Sequence, residues 1–322
     1  MKQILILGAG MSGLCAARQL KSAGFEPILV DKGRGVGGRM ATRRFEGGTF
    51  DHGAQFFTAR SEEFRALVEE WRESNIAVEW FAGYPSPQND KPSDAHPRFR
   101  GESGMTGIAK WLARDLTVHL GEEIERLSFQ NGRWTAFSRS GNSFEGDELL
   151  LTAPVPQSLT LLRNSGIELR ESLQNTLGSL SYEPCFAVMA NLDGPSQIPP
   201  PGALYVNGET VWWLADNFQK GISPREGSVT VHSSGAWATA HYEEPQNEVG
   251  AALLEAAAPF LGAPVESFEV RRWRYSKPEN PVEMGSFRLR SINLSFAGDI
   301  FQGAKIEGAA LSGLAAARKL IS

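Results

Sequence analysis

The first thirty residues combine two short apolar runs with a helical pattern between them. Residues 3–7 are apolar after the first position and end at a glycine, and residues 11–23 carry small and apolar side chains at a spacing of three. This order predicts a strand, a tight glycine turn and a helix. Residues 27–30 form the next apolar run and end at Asp31, which predicts a second strand and completes a βαβ unit.

Two later segments have the spacing of amphipathic helices. The first covers residues 61–75, and the second contains Met105. An apolar stripe at intervals of three and four residues predicts a helix that packs one face on a core. Between them, residues 84–97 are rich in Pro, Ser, Asn and Asp, which predicts a surface loop. The apolar positions are Phe64, Leu67, Val68 and Trp71 in the first helix and Met105, Ile108, Trp111 and Leu112 in the second.

Strand patterns dominate the rest of the chain. Residues 118–151 alternate apolar and polar positions around two glycine turns, which predicts hairpins that lead into a strand over 148–152. The last thirty residues return to strand, glycine turn and helix. The sequence therefore predicts an α/β fold, with a Rossmann-type nucleotide domain built from both ends of the chain and an inserted mixed-sheet domain. Strands of the second sheet are predicted at 185–190, 211–215 and 229–232.

The first and last predicted helices resemble each other. Residues 12–20 and 312–320 are identical at seven of nine positions, and most of the shared residues are small. We interpret this similarity as a requirement for small residues where both helices pack close to a sheet, rather than as a duplication. Both helices are expected to flank one cofactor.

Composition places the chain among folded globular proteins. Hydrophobic residues make up 41% and charged residues 21% of 322 residues, and the net charge of -5 gives no attraction to nucleic acid or an anionic membrane. Cys15 and Cys185 are too few for a disulfide framework and lack zinc-ligand spacing, so we expect a cytoplasmic protein without a metal site. No apolar run approaches ~20 residues, so neither a membrane span nor an export signal is expected.

The glycine turn after the first strand has the spacing of a dinucleotide-binding motif. Gly8, Gly10 and Gly13 form GxGxxG at the start of a helix. Such a turn lets the backbone approach a pyrophosphate, which the helix N–H groups can bind. Asp31 lies at the end of the second strand, where its carboxylate can accept hydrogen bonds from ribose hydroxyls. An acidic residue there argues against a 2′-phosphate.

Two further motifs favour FAD over NAD. In residues 32–39, two adjacent glycines precede Arg39, which predicts that backbone and guanidinium reach the same phosphates. Residues 296–299 run from a strand into an acidic turn at Asp299, and residues 307–310 then begin the terminal helix. Asp299 can accept hydrogen bonds from ribityl hydroxyls, while the helix N-terminus can face the flavin ring and stabilise negative charge on it.

With these motifs, the chain resembles the flavin-containing amine oxidase superfamily and, within it, the bacterial renalase group. Residues 51–58, D-H-G-A-Q-F-F-T, resemble that group's D-x-G-A-Q-(Y/F)-F-T segment. Residues 231–234, together with Trp237, resemble its histidine-bearing strand. Residues 272–278 resemble its R-W-x-Y-x-x-P stretch. The matches extend over nearly the whole chain and separate this group from general amine oxidases.

The resemblance implies noncovalently bound FAD and a two-domain fold of the kind found in hydroxybenzoate hydroxylase. It also implies an oxidase that repairs a metabolite: 2- and 6-dihydro isomers of nicotinamide dinucleotides return to NAD(P)⁺, and oxygen becomes hydrogen peroxide. The expected partners are therefore this small molecule and O2. The expected FAD-binding domain comprises residues 1–60, 98–180 and 286–322, and the expected substrate domain comprises residues 61–97 and 181–285.

The same resemblance, together with the motifs, assigns candidate site residues. His232 and Gln55 are the catalytic candidates, with His232 positioning the substrate carboxamide. A histidine on an apolar strand is also a common hydrogen-bonded core residue, so both roles stay open. The candidate FAD contacts are Gly8, Gly10, Met11, Ser12, Gly13, Asp31, Lys32, Gly38, Arg39, Met40, Gly53, Ala54, Gln55, Ile124, Thr152, Ala153, Gly298, Asp299, Glu307, Gly308 and Ala309. The candidate substrate contacts are Phe56, Trp213, Asn217, His232, Trp273 and Tyr275.

Two other functions fit the same chain. A flavin amine oxidase acting on a small amine would hold a lysine near the flavin. The lysines between positions 33 and 304 are Lys91, Lys110, Lys220 and Lys277, and none lies in a predicted strand of the substrate domain. A non-enzymatic, redox-sensing flavoprotein is the second alternative, and an exposed apolar patch or a tail would favour it. The sequence leaves the electron donor, the isomer preference and the oligomeric state open.

Overall fold

The described residues form both helices and strands. The computed structural model describes residues 1–83, 85 and 95–322. The predicted loop over 84–97 lies mostly outside the described residues, and Lys91 lies wholly outside them. The helices are α1 (Met11–Ser22), α2 (Glu62–Glu73), α3 (Met105–Ala113), α4 (Val155–Asn164), α5 (Glu171–Gly178), α6 (Gly235–Ala240), α7 (Gln246–Leu261) and α8 (Ile306–Ile321). The strands are β1 (Gln3–Leu7), β2 (Glu26–Asp31), β3 (Thr42–Phe45), β4 (Gly48–Asp51), β5 (Ala77–Ala82), β6 (Pro97–Gly101), β7 (Thr117–Leu120), β8 (Ile124–Gln130), β9 (Arg133–Ser138), β10 (Ser143–Gly146), β11 (Glu148–Leu151), β12 (Tyr182–Leu192), β13 (Ala203–Tyr205), β14 (Val211–Asp216), β15 (Ser228–Ser233), β16 (Val265–Pro278), β17 (Phe287–Leu289) and β18 (Leu294–Phe296).

The chain divides into two compact units, and both ends of the chain belong to the first. The first unit comprises residues 1–38, 109–181 and 278–322, and the second comprises residues 39–108 and 182–277.

These bounds differ from the expected domains at three segments and at residue 181, which lies in the first unit. Residues 39–60 and 98–108 lie in the second unit, because β4 packs beside β15 and the Thr42 N–H donates a hydrogen bond to the Thr106 hydroxyl (2.7 Å). Residues 278–285 lie in the first unit, where the Val282 N–H donates to the carbonyl of Ile300 (2.7 Å). Which part of the chain binds FAD and which binds substrate stays a prediction.

The first unit is built on a six-stranded sheet in the order β17-β18-β11-β1-β2-β7. Strands β18, β11, β1, β2 and β7 pair in parallel, and β17 joins the edge antiparallel. Because α1 connects β1 to its parallel neighbour β2, the predicted βαβ unit is confirmed. The meander β10-β9-β8 supplies the predicted hairpins. Residues 117–120 lie outside that meander, because β7 pairs with β2 instead.

The first and last helices pack directly against each other. A Cβ at Gly313 of α8 would come within 2.1 Å of the carbonyl oxygen of Ser12 in α1. Only glycine allows two helix backbones to approach this closely. The sequence analysis expects the shared small residues to allow close packing on the sheet. The structure adds a second role, because they also allow the contact between α1 and α8.

The second unit contains the predicted second sheet, with strand order β13-β14-β15-β12-β16. The first four of these strands pair antiparallel. Val229 and Val231 of β15 pack in an apolar core with Leu253 of α7. Because side chains alternate along a strand, Thr230 and His232 lie on the opposite face of the sheet. Trp213 of β14, which pairs with His232, lies on the same face.

Two short hairpins, β3-β4 and β5-β6, also belong to the second unit. Within residues 1–83, 85 and 95–322, no helix has the length and apolar character needed to cross a membrane. The same residues contain no group of three His, Cys, Asp or Glu side chains that could hold a metal ion.

Candidate functional site

The glycine turn of the first unit leaves the N-terminus of α1 open to an anion. Gly10 is the N-cap, no side chain caps the helix, and the first turn, which begins with Met11 and Ser12, carries no acidic residue. A Cβ on Gly10 would have no heavy atom within 4 Å, so this backbone borders open space. A Cβ on Gly13 would lie 2.1 Å from the carbonyl oxygen of Gly8, so this position requires glycine. Uncapped helix N–H groups beside open space fit a phosphate.

Asp31 holds this turn to the glycine segment that follows it. Its Oδ2 accepts a hydrogen bond from the Ala9 N–H (2.6 Å), and its Oδ1 accepts one from the Gly33 N–H (2.6 Å). Gly37 in turn donates its N–H to the carbonyl of Ala9 (2.8 Å), and a Cβ on Gly38 would lie 3.5 Å from the Gly10 Cα. A carboxylate oxygen can accept more than one hydrogen bond, so Asp31 can organise the turn and also accept from a ribose hydroxyl.

Two further segments of the first unit lie beside the glycine turns. The Thr152 hydroxyl donates to the carbonyl of Leu7 (3.0 Å), at the end of β1. Gly121 donates its N–H to the carbonyl of Gly33 (2.9 Å), and Ile124 begins β8 three residues later. The structure therefore places Thr152 next to the predicted dinucleotide turn, and it places the residues just before Ile124 next to the segment that follows Asp31.

The end of β18 and the start of α8 form the predicted second acidic turn. Gly298 donates its N–H to the Ser312 hydroxyl (2.9 Å), and the buried Asp299 begins a 3₁₀ turn. Glu307 lies in the first turn of α8. A Cβ on Gly308 would lie 2.0 Å from the carbonyl oxygen of Gly303, so the chain can pack against this helix start only because position 308 is glycine.

Four predicted FAD contacts of the second unit lie close together around β3 and β4. The Arg39 carbonyl accepts a hydrogen bond from the Ala54 N–H (2.8 Å), and a Cβ on Gly53 would lie 2.0 Å from the same oxygen. The Arg39 guanidinium donates to the carbonyl of Ser276 (3.1 Å), and Met40 is buried. Their contact with FAD stays a prediction.

A buried ion pair, which the sequence analysis does not predict, lies beside the candidate catalytic residues. Lys220 Nζ lies 2.8 Å from Asp51 Oδ2, and both side chains are 0% exposed. Asp51 Oδ1 accepts hydrogen bonds from the Met105 N–H (2.9 Å) and from the Thr42 hydroxyl. The Lys220 ammonium also lies 4.6 Å from the centroid of the Trp80 ring, at cation–π distance.

Gln55 and His232 lie next to this ion pair. Lys220 Nζ donates to Gln55 Oε1 (3.3 Å), and Gln55 Nε2 donates to the carbonyl of Asp51 (2.5 Å). The same Gln55 Nε2 lies 3.5 Å from His232 Nε2. The backbone of His52 accepts a hydrogen bond from the His232 imidazole. The structure therefore brings the two catalytic candidates into contact, although 177 positions separate them in sequence.

Both histidines of this cluster are neutral near pH 7. Burial lowers the pKa of His232 to about 4, the hydrogen bond to His52 opposes this shift, and the charge of Lys220 adds to it. Burial and the charge of Arg271 lower the pKa of His52 to about 3. Burial also lowers the pKa of Lys220, while the charge of Asp51 opposes that shift. A neutral imidazole can position a substrate but brings no positive charge to it.

One row across the five-stranded sheet carries aromatic and imidazole rings. The strand register pairs Tyr205 with Trp213, Trp213 with His232, and His232 with Ala187. Paired residues on neighbouring strands share one face of a sheet. Ala187 presents only a methyl group beside His232. Trp213 is 3% exposed, and its Nε1–H has no hydrogen-bond partner among the residues that the structure describes.

Other aromatic side chains extend this row at both edges of the sheet. The Phe56 ring lies 5.5 Å from Trp213 and 6.2 Å from Tyr205, measured between centroids. On β16, Trp273 stacks on His52 at 5.4 Å and donates its Nε1–H to the His52 carbonyl (2.8 Å). The predicted substrate residues Phe56, Trp213 and Trp273 therefore all contact residues of the row or of the histidine cluster.

The remaining two substrate candidates have partners within the second unit. Asn217 is buried, and its Nδ2 donates to the Thr230 hydroxyl (2.9 Å) and to the carbonyl of Ser228 (3.1 Å). These bonds hold the turn after β14 to β15. The Tyr275 ring lies 5.6 Å from Tyr182. A direct contact of either residue with substrate stays a prediction.

Comparison with known proteins identifies the family. Residues 94–321 match the model of flavin containing amine oxidoreductases, and residues 6–71 match the model of NAD(P)-binding Rossmann-like domains. The first match alone covers well over half of the chain. The chain belongs to the flavin-containing amine oxidoreductase family.

Individual family members are similar over nearly the full length. Renalase of Mus musculus is 24% identical over 299 residues, which cover 88% of this chain and 87% of the mouse protein. Cyclohexylamine oxidase from Brevibacterium oxydans superposes with a TM-score of 0.72 at 14% identity, over 99% of this chain and 98% of that chain. Putrescine oxidase superposes with a TM-score of 0.71 at 14% identity, over 99% of each chain. These two structures show a shared fold.

This renalase-like flavin-containing amine oxidoreductase is an FAD-dependent oxidoreductase. The first unit fits FAD at two points: the uncapped α1 N-terminus suits the pyrophosphate, and the carboxylate of Asp31 suits the adenosine ribose. Asp299 lies in a second acidic turn, beside the start of α8, that suits the ribityl chain. We therefore propose that Asp31 would hold the adenosine ribose of FAD and that Asp299 would hold its ribityl chain.

Replacing Asp31 by Ala is expected to weaken FAD binding. The variant loses hydrogen bonds to a charged acceptor, which costs about 1.5–3 kcal/mol, or roughly a tenfold to hundredfold rise in Kd. The measurement is titration of apoprotein with FAD, followed by flavin fluorescence. Asp193→Ala removes an exposed aspartate of the second unit and serves as the control. An unchanged Kd in Asp31→Ala would exclude the proposed contact.

Proposed function

We propose that the protein oxidises a dihydropyridine and that its substrates are the 2- and 6-dihydro isomers of NAD(P). The observation that supports this most is the row of Tyr205, Trp213 and His232, because flat aromatic rings and a neutral imidazole suit a flat, uncharged ring with a carboxamide. Hydride loss makes the dihydropyridine aromatic, so the reaction needs no strong base. A histidine that stays neutral fits this chemistry.

Three residues have a proposed task. Phe56 and Trp213, whose ring centroids lie 5.5 Å apart, together line one side of the substrate ring, and His232 orients its carboxamide. The Trp213 Nε1–H, which lacks a partner among the described residues, donates to a substrate oxygen. FAD, when bound, would supply the redox chemistry, as the acceptor of the substrate hydride and the donor of the two electrons that reduce O2, with the hydride-derived proton and one proton from solvent, to hydrogen peroxide.

The lysines argue against oxidation of a small amine. In the described part of the second unit they are Lys220 and Lys277. Lys220 is buried against Asp51, and Lys277 pairs with Glu183 at a largely exposed position. Lys220 lies close to the aromatic row, but its charge is paired with Asp51, and Lys277 is paired at the surface, so we favour the dihydropyridine as substrate.

We place the protein in the cytoplasm. Cys15 and Cys185 are free thiols, and burial raises the pKa of each to about 12. Thiols of this kind fit a reducing compartment and take no part in the proposed reaction.

Anaerobic mixing tests the proposed reaction directly. Purified holoprotein is mixed with 2-dihydro-NAD(P), 6-dihydro-NAD(P), ordinary 4-dihydro-NADH, putrescine or cyclohexylamine while flavin absorbance is followed. We expect rapid bleaching by at least one of the first two compounds and much slower bleaching by the others, with peroxide formed when oxygen is admitted. Rapid bleaching by an amine alone would establish an amine oxidase. No bleaching by any donor would favour a redox-sensing role.

Two neighbouring tryptophans provide a matched pair for the same assay. Trp213→Phe keeps an aromatic ring and removes the buried N–H, which is expected to raise the apparent Kd of the donor roughly fivefold, or about 1 kcal/mol. Trp212→Phe changes a residue that is 42% exposed and should leave this constant unchanged.

His232→Ala should slow flavin reduction while FAD stays bound. Equal rates in His232→Ala and wild type would make His232 a core residue.

A further inference from the structure

Lys220 reaches the interior of the second unit because the turn before it is tightly organised. The Asp216 carboxylate accepts hydrogen bonds from the N–H groups of Phe218 (2.9 Å) and Gln219 (3.0 Å). The N–H of Lys220 then donates to the carbonyl of Asp216 (2.8 Å). This turn directs the lysine side chain to Asp51, where the ammonium is fully buried.

The ammonium fixes the orientation of the Gln55 amide. An ammonium group only donates hydrogen bonds, so the Gln55 atom 3.3 Å from Lys220 Nζ must be the carbonyl oxygen Oε1. The opposite orientation would set the amide N–H₂ against the lysine N–H groups. Gln55 Nε2 therefore faces the carbonyls of Asp51 (2.5 Å) and Gly53 (3.3 Å) and the His232 Nε2 atom (3.5 Å).

This orientation determines the proton position on the imidazole. Gln55 Nε2 carries only donor hydrogens, so a proton on His232 Nε2 would set two N–H groups against each other, and the contact favours an unprotonated Nε2. The neutral ring then carries its proton on Nδ1.

We propose that Lys220 is a positioning residue that holds His232, through Gln55, in the tautomer protonated on Nδ1. Lys220 acts without touching the substrate. Its ammonium fixes the orientation of the Gln55 amide, and this amide fixes the proton position on the His232 imidazole. Under the proposed function, the imidazole that orients the substrate carboxamide then has one fixed pattern of donor and acceptor. Without Lys220, the Gln55 amide can turn over, and His232 can carry its proton on either nitrogen.

Histidine ¹⁵N spectroscopy of the FAD-bound protein tests this proposal. The chain has five histidines, so ¹⁵N-histidine labelling gives a small set of ring signals, and His232→Asn identifies those of residue 232. Long-range ¹H–¹⁵N spectra near pH 7.5 distinguish a protonated from an unprotonated ring nitrogen. In wild type we expect Nδ1 of His232 to be protonated and Nε2 unprotonated. A wild-type His232 protonated on Nε2 would overturn the proposal.

Two variants remove the proposed control in different ways. Lys220→Met combined with Asp51→Asn keeps the buried site neutral and should move the Nδ1 and Nε2 shifts of His232 toward each other, as the two tautomers mix. Gln55→Met interrupts the same path without disturbing the ion pair and should produce the same change. Lys277→Met, at a largely exposed lysine, should leave the His232 signals unchanged. Unchanged His232 signals in Gln55→Met would show that Lys220 does not act through this amide.

This test needs no substrate. Its result therefore stands even if the bleaching experiment identifies an amine as the electron donor. Conversely, a dihydropyridine substrate with an unaltered tautomer in the variants would keep the proposed function and reject the role of Lys220.

Discussion

Lys220→Met is expected to lower the free energy of unfolding by about 3–5 kcal/mol, because the Asp51 carboxylate would remain buried without its cation. The methionine fills much of the volume beside Trp80, so the loss comes from charge rather than from a cavity. Urea unfolding of the holoprotein, followed by tryptophan fluorescence, measures the change as a lower midpoint at a similar slope.

The double variant Lys220→Met, Asp51→Asn separates charge from packing. Its amide oxygen can still accept from the Met105 N–H and the Thr42 hydroxyl, and no net charge is left inside. It should recover most of the lost stability, since a buried pair replaced as a whole costs far less than a pair broken on one side. A double variant as unstable as Lys220→Met would show that the charge imbalance is not the cause.

Acidification from pH 6.5 to 5 is expected to lower the free energy of unfolding by up to about 4 kcal/mol, at up to about 1.4 kcal/mol per pH unit for each of two histidines. His52 and His232 have folded-state pKa values of about 3 and about 4, below the ordinary 6.5. In this range the unfolded chain binds protons that the folded chain does not bind, so stability is present at neutral pH and lost as pH falls.

Single substitutions assign this pH dependence. His232→Asn should remove about half of the slope of unfolding free energy against pH, as one of two contributing histidines. His241→Asn, which replaces a histidine on the protein surface, serves as the control. The same slope in wild type and His232→Asn would mean that His232 is protonated in the folded protein, contrary to its burial.

The βαβ unit with the glycine turn could be predicted because the sequence patterns that indicate it are local. The strand, glycine turn, helix and acidic residue of the βαβ unit all lie within residues 3–31, and the structure reproduces their order. Two later elements gave no such signal. In α7, alanines on all sides weaken the helical period, and in β16 charged residues interrupt the strand alternation.

The polar cluster of the second unit depends on contacts between distant residues. Gln55 and His232 were named from short motifs, and the structure places them in contact. Lys220 was missed, because a lysine after a strand usually lies at the surface and Asp51 is 169 positions away in sequence. The local sequence feature that could have indicated a defined position for Lys220 is Asp216, which begins a compact turn four residues earlier. Asn217, which is expected to bind substrate, donates its amide N–H₂ to the Thr230 hydroxyl, and its contact with substrate stays a prediction.

The contact between α1 and α8 also affects the order in which the two units can fold. Gly313, which packs against Ser12, is synthesised after all residues of the second unit. Until then the parallel sheet lacks β18 and the first helix lacks its neighbour. The inserted unit can therefore fold from residues that are already present, whereas the unit with the dinucleotide turn needs the later residues of α8 to complete its packing.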